Sequence, residues 1–198
     1  MIQKNSYNTN YIQIYDNVIP DEVCDDIVYL FEQRQEQQES ILLEGHRSFT
    51  QIGMQLNQDW NFHSKYLENT FRRCVERYID DTKIDGLMMP ENHAFELFRI
   101  KRYESNGQDE FKEHVDVGDH QSAKRFLAFF LYLNEVGGGE TVFPRHDIKV
   151  VPKKGRILMF PPMWTHPHIG NKVTGIKSKY TVGSYLHYLD QYDEFDDE

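Results

Sequence analysis

Residues 125–143 read RFLAFFLYLNEVGGGETVF. A short aromatic and aliphatic run, a glycine-rich break and a second β-branched run form the pattern of a buried strand, a tight turn and another strand. The same texture extends outward in both directions. AFELFRIKRY (94–103) and KEHVDV (112–117) precede it; DIKVV (147–151), GRILMF (155–160) and SKYTVGSYLHY (178–188) follow. Each run is bounded by Gly, Pro, Asn or Asp, the punctuation of an all-β segment. Regular spacing of short strands predicts a barrel or two-sheet sandwich over about residues 94–188.

Upstream the period changes. After a strand signal in YIQIY (11–15), the segment 20–38 opens with Pro20 and Asp21 and sets Val23, Ile27, Leu30 and Phe31 on one helical face. Residues 61–81 repeat the device with Leu67, Phe71, Cys74, Val75 and Tyr78. Between them, LEGHRSFTQIGMQL (43–56) follows neither period and reads as an irregular or short-stranded loop. The expected fold class is α+β, with helices laid against one face of a β-rich core. At 198 residues the chain suits one domain: a helical support region over about 1–90, the β-rich core, and a tail over 189–198. Six of the last nine residues are acidic, the mark of a solvated segment.

The net charge of −10 argues against nucleic acid as partner, because phosphate binding needs a Lys/Arg surface. KVVPKKGR (149–156) is too short a basic cluster to change that and reads as a turn between strands. No apolar run approaches membrane-spanning length, and the first residues lack the apolar core of an export signal. The two cysteines, Cys24 and Cys74, fall within helical patterns, which predicts free buried thiols and a cytoplasmic location.

Chemistry enters through polar residues in the strands. His114 and Asp116 are two apart, so a strand sends both side chains to one face. A third ligand lies about fifty residues later, at His166 or His168. Two His and one carboxylate make the facial triad that binds non-haem Fe(II) and leaves positions open, but they also suit catalytic zinc. In SKYTVGSYLHY the alternation puts Lys179, Thr181, Gly183 and Tyr185 on one face. A lysine inside a barrel needs an anion, either a protein carboxylate or a bound dicarboxylate.

Taken in order, RYESNGQ, HVD, FFLYLNEVGGGETVFP, PKKGRILMFPP, HIG and KYTVGSYLH resemble the 2-oxoglutarate and Fe(II)-dependent oxygenases of the prolyl 4-hydroxylase type. The resemblance implies a double-stranded β-helix, or jelly roll, supported by the N-terminal helices. It implies His114 and Asp116 as the first two iron ligands, and Lys179 as partner of the distal carboxylate of 2-oxoglutarate. Tyr132 matches a tyrosine that assists that carboxylate, Tyr103 one near the other end of the cosubstrate, and Arg125 a substrate contact. The family spacing of His-x-Gly followed by the lysine favours His168, eleven residues before Lys179. His166 is then a neighbour of the site, and a shifted pair of His166 with Lys177 is the competing register.

The reaction implied is hydroxylation of an unactivated C–H bond, with dioxygen consumed and 2-oxoglutarate converted to succinate and CO2. Peptidyl proline is the leading substrate, a small molecule the alternative, and ascorbate a candidate reductant. A non-catalytic metal-binding jelly roll is a further alternative. The segment from Ile41 to Leu56 is expected to form a mobile flap. The other histidines (46, 63, 93, 120, 146 and 187) are expected on the surface or in loops.

Overall fold

The computed structural model describes residues 3–5, 11–84 and 86–189, so the acidic tail at 190–198 lies outside the described residues. Thirteen strands and two long helices follow in chain order: β1 (Gln3–Asn5), β2 (Gln13–Asp16), α1 (Asp21–Gln33), β3 (Glu39–Leu43), β4 (Arg47–Gly53), α2 (Asn61–Thr82), β5 (His93–Phe95), β6 (Arg99–Tyr103), β7 (Phe111–His114), β8 (Arg125–Tyr132), β9 (Thr141–Phe143), β10 (Ile148–Val150), β11 (Arg156–Phe160), β12 (His168–Gly170) and β13 (Lys179–Tyr188). All pair antiparallel in one sheet of order β1-β2-β11-β8-β13-β6-β4-β7-β12-β9-β10, with β3 added on β4 and β5 on β13.

The sheet curls on itself. Phe130 of β8 and Phe160 of β11 lie 5.9 and 4.8 Å from the ring of His168 on β12, although these strands are far apart in the order. This is the jelly roll, with two helices packed on its outside.

Alternation along β8 explains the two cores. Leu127, Phe129 and Leu131 face outward to α1 and α2, where they meet Ile27, Phe31, Leu67, Phe71 and Tyr78. Ala128 and Tyr132 face inward with Phe143, Leu158 and Phe160. A strand buried on both faces reads as a continuous apolar run, which is why RFLAFFLYLN shows so little polar alternation. Phe71 stacks on Phe129 at 5.4 Å and meets Phe98 edge-on at 5.3 Å. On α1, Cys24 rather than Val23 completes the buried stripe with Ile27 and Phe31. Both cysteines are free and buried. Among the described residues no helix is long and apolar enough to cross a membrane.

Of the two forms expected for the segment between the helices, irregular or short-stranded, the structure has the second: residues 39–53 form the β3–β4 hairpin, and β4 is an inner strand of the sheet, Thr50 to Gly53 pairing with Arg102 to Arg99 of β6 and Arg47 with Phe111 of β7. The two buried apolar residues of β4, Phe49 toward the cavity and Ile52 toward the helices, are three apart and on opposite faces, so no period-2 apolar pattern shows among the charged and polar neighbours. The region before residue 90 therefore supplies strands as well as helices.

Candidate active site

β7 and β12 pair with His114 opposite His168. Asp116 follows just past the end of β7, where its own N–H and that of Val117 donate to Pro162 O (3.0 and 3.1 Å). Ligand atoms of His114, Asp116 and His168 all lie within 4.8 Å of one another, with His114 Nε2 3.5 Å from Asp116 Oδ1 and His168 Nε2 3.6 Å from Asp116 Oδ2.

The other ring nitrogens are committed. His114 Nδ1–H donates to Lys112 O (2.6 Å) and His168 Nδ1–H to His166 O (3.1 Å), which leaves both Nε2 lone pairs aimed at the carboxylate. Phe111 stacks flat on His114, centroids 3.4 Å apart, and fixes its plane. His168 Nε2 and Asp116 Oδ2 are buried without a hydrogen-bond partner among the described residues. Buried polar atoms normally have partners, so two orphans facing each other fit a cation between them. Burial pushes the His168 imidazole down to about 4. Burial alone would raise the Asp116 carboxyl, but His168, His114 and Lys101 together bring it down to about 2. Asp116 is then a carboxylate and His168 a neutral base at neutral pH, the forms that bind metal.

The choice between the two neighbouring histidines follows from where they point. His168 turns into the cavity and is 2% exposed. His166 turns away: its ring stacks on His146 at 4.8 Å, accompanies Trp164 and Met163 in a separate groove, and its Nδ1 meets Thr165 Oγ1 at 2.8 Å. Its backbone carbonyl, not its side chain, touches the triad through His168. Lys177, its rival-register partner, is exposed on another face.

Two connected cavities meet at the triad. The inner one is lined by Tyr103, Tyr132, Thr141, His168, Lys179 and Thr181. Lys179 is 3% exposed, donates to Gly139 O (2.9 Å), lies 4.2 Å from the Tyr103 ring centre, and forms no ion pair among the described residues. Of the two anions considered for it, a protein carboxylate is thus not supplied here. Burial pushes Lys179 down to about 7, with Glu140 raising and Lys101 lowering it. Tyr132 OH bonds Thr141 Oγ1 (2.7 Å). Tyr103 stands opposite Lys179 in the β6–β13 register, so its ring sits at the lysine end and not, as the resemblance implied, at the other.

The outer cavity, about 410 Å³, opens to solvent between Ile41, Phe49, Arg99, Gln121, Arg125 and Tyr185. Arg125 lines it but is not simply solvated: Glu96 holds its guanidinium through bonds of 2.7 and 2.9 Å, and Nη1 donates to Asp116 O (3.0 Å). It braces Asp116 from behind through the backbone carbonyl. Residues 41–56 line this mouth through β3 and β4, so the expected flap is a paired hairpin.

Sequence reasoning missed Lys101, which lines both cavities. Burial pushes its ammonium down to about 8 despite the opposing field of Asp116. Strand alternation from Tyr103 back to Lys101 and Arg99 was the available signal. One histidine also differs from expectation: His63 is buried on α2 against Asp26 (2.8 Å).

The class that this fold and site define is that of the jelly-roll oxygenases. Residues 98–187 match the model of the 2OG-Fe(II) oxygenase superfamily, whose members the name ties to iron and 2-oxoglutarate. Among solved structures, the chain is similar to a viral collagen prolyl hydroxylase from Paramecium Bursaria Chlorella virus-1 in a 2OG complex, at 19% identity and TM-score 0.63 over 92% of this chain and 98% of that one. It is similar also to a Trichoplax adhaerens prolyl hydroxylase in complex with a hypoxia inducible factor oxygen degradation domain peptide fragment, at 17% identity and TM-score 0.70 over 93% and 86%. A Pseudomonas putida prolyl-4-hydroxylase gives 15% identity and TM-score 0.67 over 92% and 95%. No curated protein matches the chain by sequence.

Proposed function

We propose that the chain is a single catalytic unit, a 2-oxoglutarate- and Fe(II)-dependent dioxygenase that hydroxylates peptidyl proline. One observation carries this: two orphaned ligand atoms and an unpaired buried lysine face the same interior from opposite ends. A zinc hydrolase has use for the first and none for the second.

His114, Asp116 and His168 would hold Fe(II), and Lys179, assisted by Tyr103 and Tyr132, would hold the far carboxylate of 2-oxoglutarate. When bound, iron and cosubstrate supply the oxidising power, with 2-oxoglutarate leaving as succinate and CO2. The protein's part is geometric. Lys179 and Gly139 set the depth of the cosubstrate, while Phe111 and the carbonyls of Lys112 and His166 lock the imidazole planes. Arg125, braced by Glu96, holds the Asp116 backbone. Phe130, Phe143 and Phe160 keep water from His168. The polypeptide enters by the outer cavity, where the C–H to be attacked can face the triad.

Ascorbate as reductant and a cytoplasmic setting belong to the same proposal, the latter supported by the free thiols of Cys24 and Cys74. The test is succinate release from 2-oxoglutarate with Fe(II) or Zn(II), with and without ascorbate, alongside mass spectrometry of proline peptides for a +16 product. Turnover with Zn(II), or turnover that survives both His114→Ala and His168→Ala, would refute the assignment.

A further inference from the structure

Basic side chains line the outer cavity, on a protein of net charge −10. Arg99 and Lys101 alternate on β6 and present one face, flanked by Arg47 on β4 and Arg125 on β8. Two neighbouring arginines are neutralised by carboxylates. Arg102, on the other face of β6, pairs with Glu32 and Glu104, both at 3.0 Å, and Arg125 pairs with Glu96. The three remaining cations have no ion pair among the described residues. Arg99 Nη1 reaches only Leu97 O (3.4 Å), the Lys101 ammonium lies over the Phe49 ring (4.7 Å), and the Arg47 guanidinium lies over Phe111 (5.6 Å).

The carboxylates facing this space are two. Asp116 is directed to the histidines, and Asp119 at the rim is engaged by Ser122 through 2.8 Å bonds. Three cations without partners beside a metal triad form a field that draws in an anion and resists a cation. The cosubstrate does not account for all of them, because Arg99 and Arg47 line the mouth alone, outside the inner cavity that holds Lys179. Ile41, Phe49 and Tyr185 in the same mouth provide an apolar surface for a ring or aliphatic chain.

We propose that the mouth selects polypeptides whose target residue is flanked by acidic side chains, with Lys101 and Arg99 as the specificity-determining residues. This rests on the oxygenase reading and narrows its substrate class.

The test uses the full chain loaded with Fe(II) and 2-oxoglutarate under argon. Three labelled peptides of equal length, a proline flanked by Glu, by Gln or by Lys, are titrated by fluorescence anisotropy. The Glu peptide is expected to bind about tenfold tighter than the Gln peptide at low salt, with the Lys peptide weakest and the differences shrinking as salt rises. Lys101→Met and Arg99→Gln should each erase most of that preference, and Arg99→Gln, whose side chain lines the mouth alone, should leave 2-oxoglutarate affinity within about twofold. Arg47→Gln, at an exposed position, gives a variant whose folding is not at issue and should cost a smaller part of it. Equal binding of Glu and Gln peptides, no binding of the Glu peptide, or an Arg99→Gln variant that loses cosubstrate as strongly as peptide would each overturn the inference. After oxygen is admitted the two readings separate. Charge-selective binding without succinate or a +16 product removes the oxygenase assignment alone, and succinate-forming turnover blind to charge removes charge selection alone.

Discussion

Lys179→Met tests the inner cavity most directly. The substitution keeps length and volume and removes one buried charge. With the dicarboxylate bound, that ammonium is half of a buried charge pair, and truncating one partner of such a pair costs roughly 2–5 kcal/mol. A central loss of about 3 kcal/mol weakens 2-oxoglutarate binding by about 150-fold. The ligand-free protein should respond in the opposite sense. An ammonium that burial holds near 7, against 10.5 ordinarily, opposes folding fully below pH 7. That opposition is relieved as pH rises from 7 toward 10, so the wild-type apoprotein gains stability across this window, and the Met variant keeps only the smaller gain that Lys101, near 8, supplies.

Binding carries the mirror image. The dicarboxylate requires the protonated lysine, so affinity should be flat below about pH 7 and fall roughly tenfold per pH unit above it. His168, near 4, and Asp116, near 2, add no titration there, whereas Lys101, near 8, does, so the part due to Lys179 is the difference between wild type and the Met variant. Calorimetric titration of 2-oxoglutarate into the Fe(II)-loaded protein under argon at pH 6, 7, 8 and 9, with melting curves on the apoprotein, measures both arms. Affinity within threefold of wild type for Lys179→Met, or wild-type affinity independent of pH, would refute the reasoning.

Three other outcomes are expected. His168→Ala should lower Fe(II) affinity by more than about a hundredfold, whereas His166→Ala, which retains the carbonyl bonded to His168, should stay within a few-fold by equilibrium metal competition. Asp16→Ala strips a buried carboxylate from Arg156 (2.6 Å) and Lys153 (3.1 Å) and should cost about 3–5 kcal/mol in urea unfolding. Hydrogen bonding to Arg156 is the chief cause of the low Asp16 pKa, so its stabilisation is complete above about pH 4 and disappears as pH falls through the folded value. Gly138→Ala places a Cβ 2.6 Å from Lys172 O at φ +72°, which should cost about 2 kcal/mol or more and weaken 2-oxoglutarate binding through the neighbouring Gly139 carbonyl.

What the sequence made legible follows from period and spacing. Both long helices were readable because their apolar residues recur on one face, and the strands of the core because glycines and prolines cut them to length. His114, Asp116 and Lys179 stood out as polar groups inside apolar runs. The choice of His168 over His166 needed more than parity, since residues two apart share a strand face; only the turn after Met163 sends one ring inward and the other toward His146. Strand β4 was hidden because a strand lining a wet cavity carries polar residues on its inner face, so its alternation resembles a loop. Lys101 was hidden for the same reason: in IKRY a basic residue next to a basic residue reads as surface, until the sheet shows Arg102 facing Glu32 and Lys101 facing the triad.

The position of β4 bears on how the molecule is built. It stands between β6 and β7 in the strand order, so it alone joins the half of the sheet that carries Lys179 to the half that carries His114 and His168. The stretch 98–187 that matches the oxygenase model contains every one of these side chains and lacks the strand that links them. That stretch is therefore no autonomous folding unit. Expressed alone it would leave two raw edges where β4 belongs, prone to pair with other chains, and His114 and His168 would lose the strand that fixes them relative to Lys179.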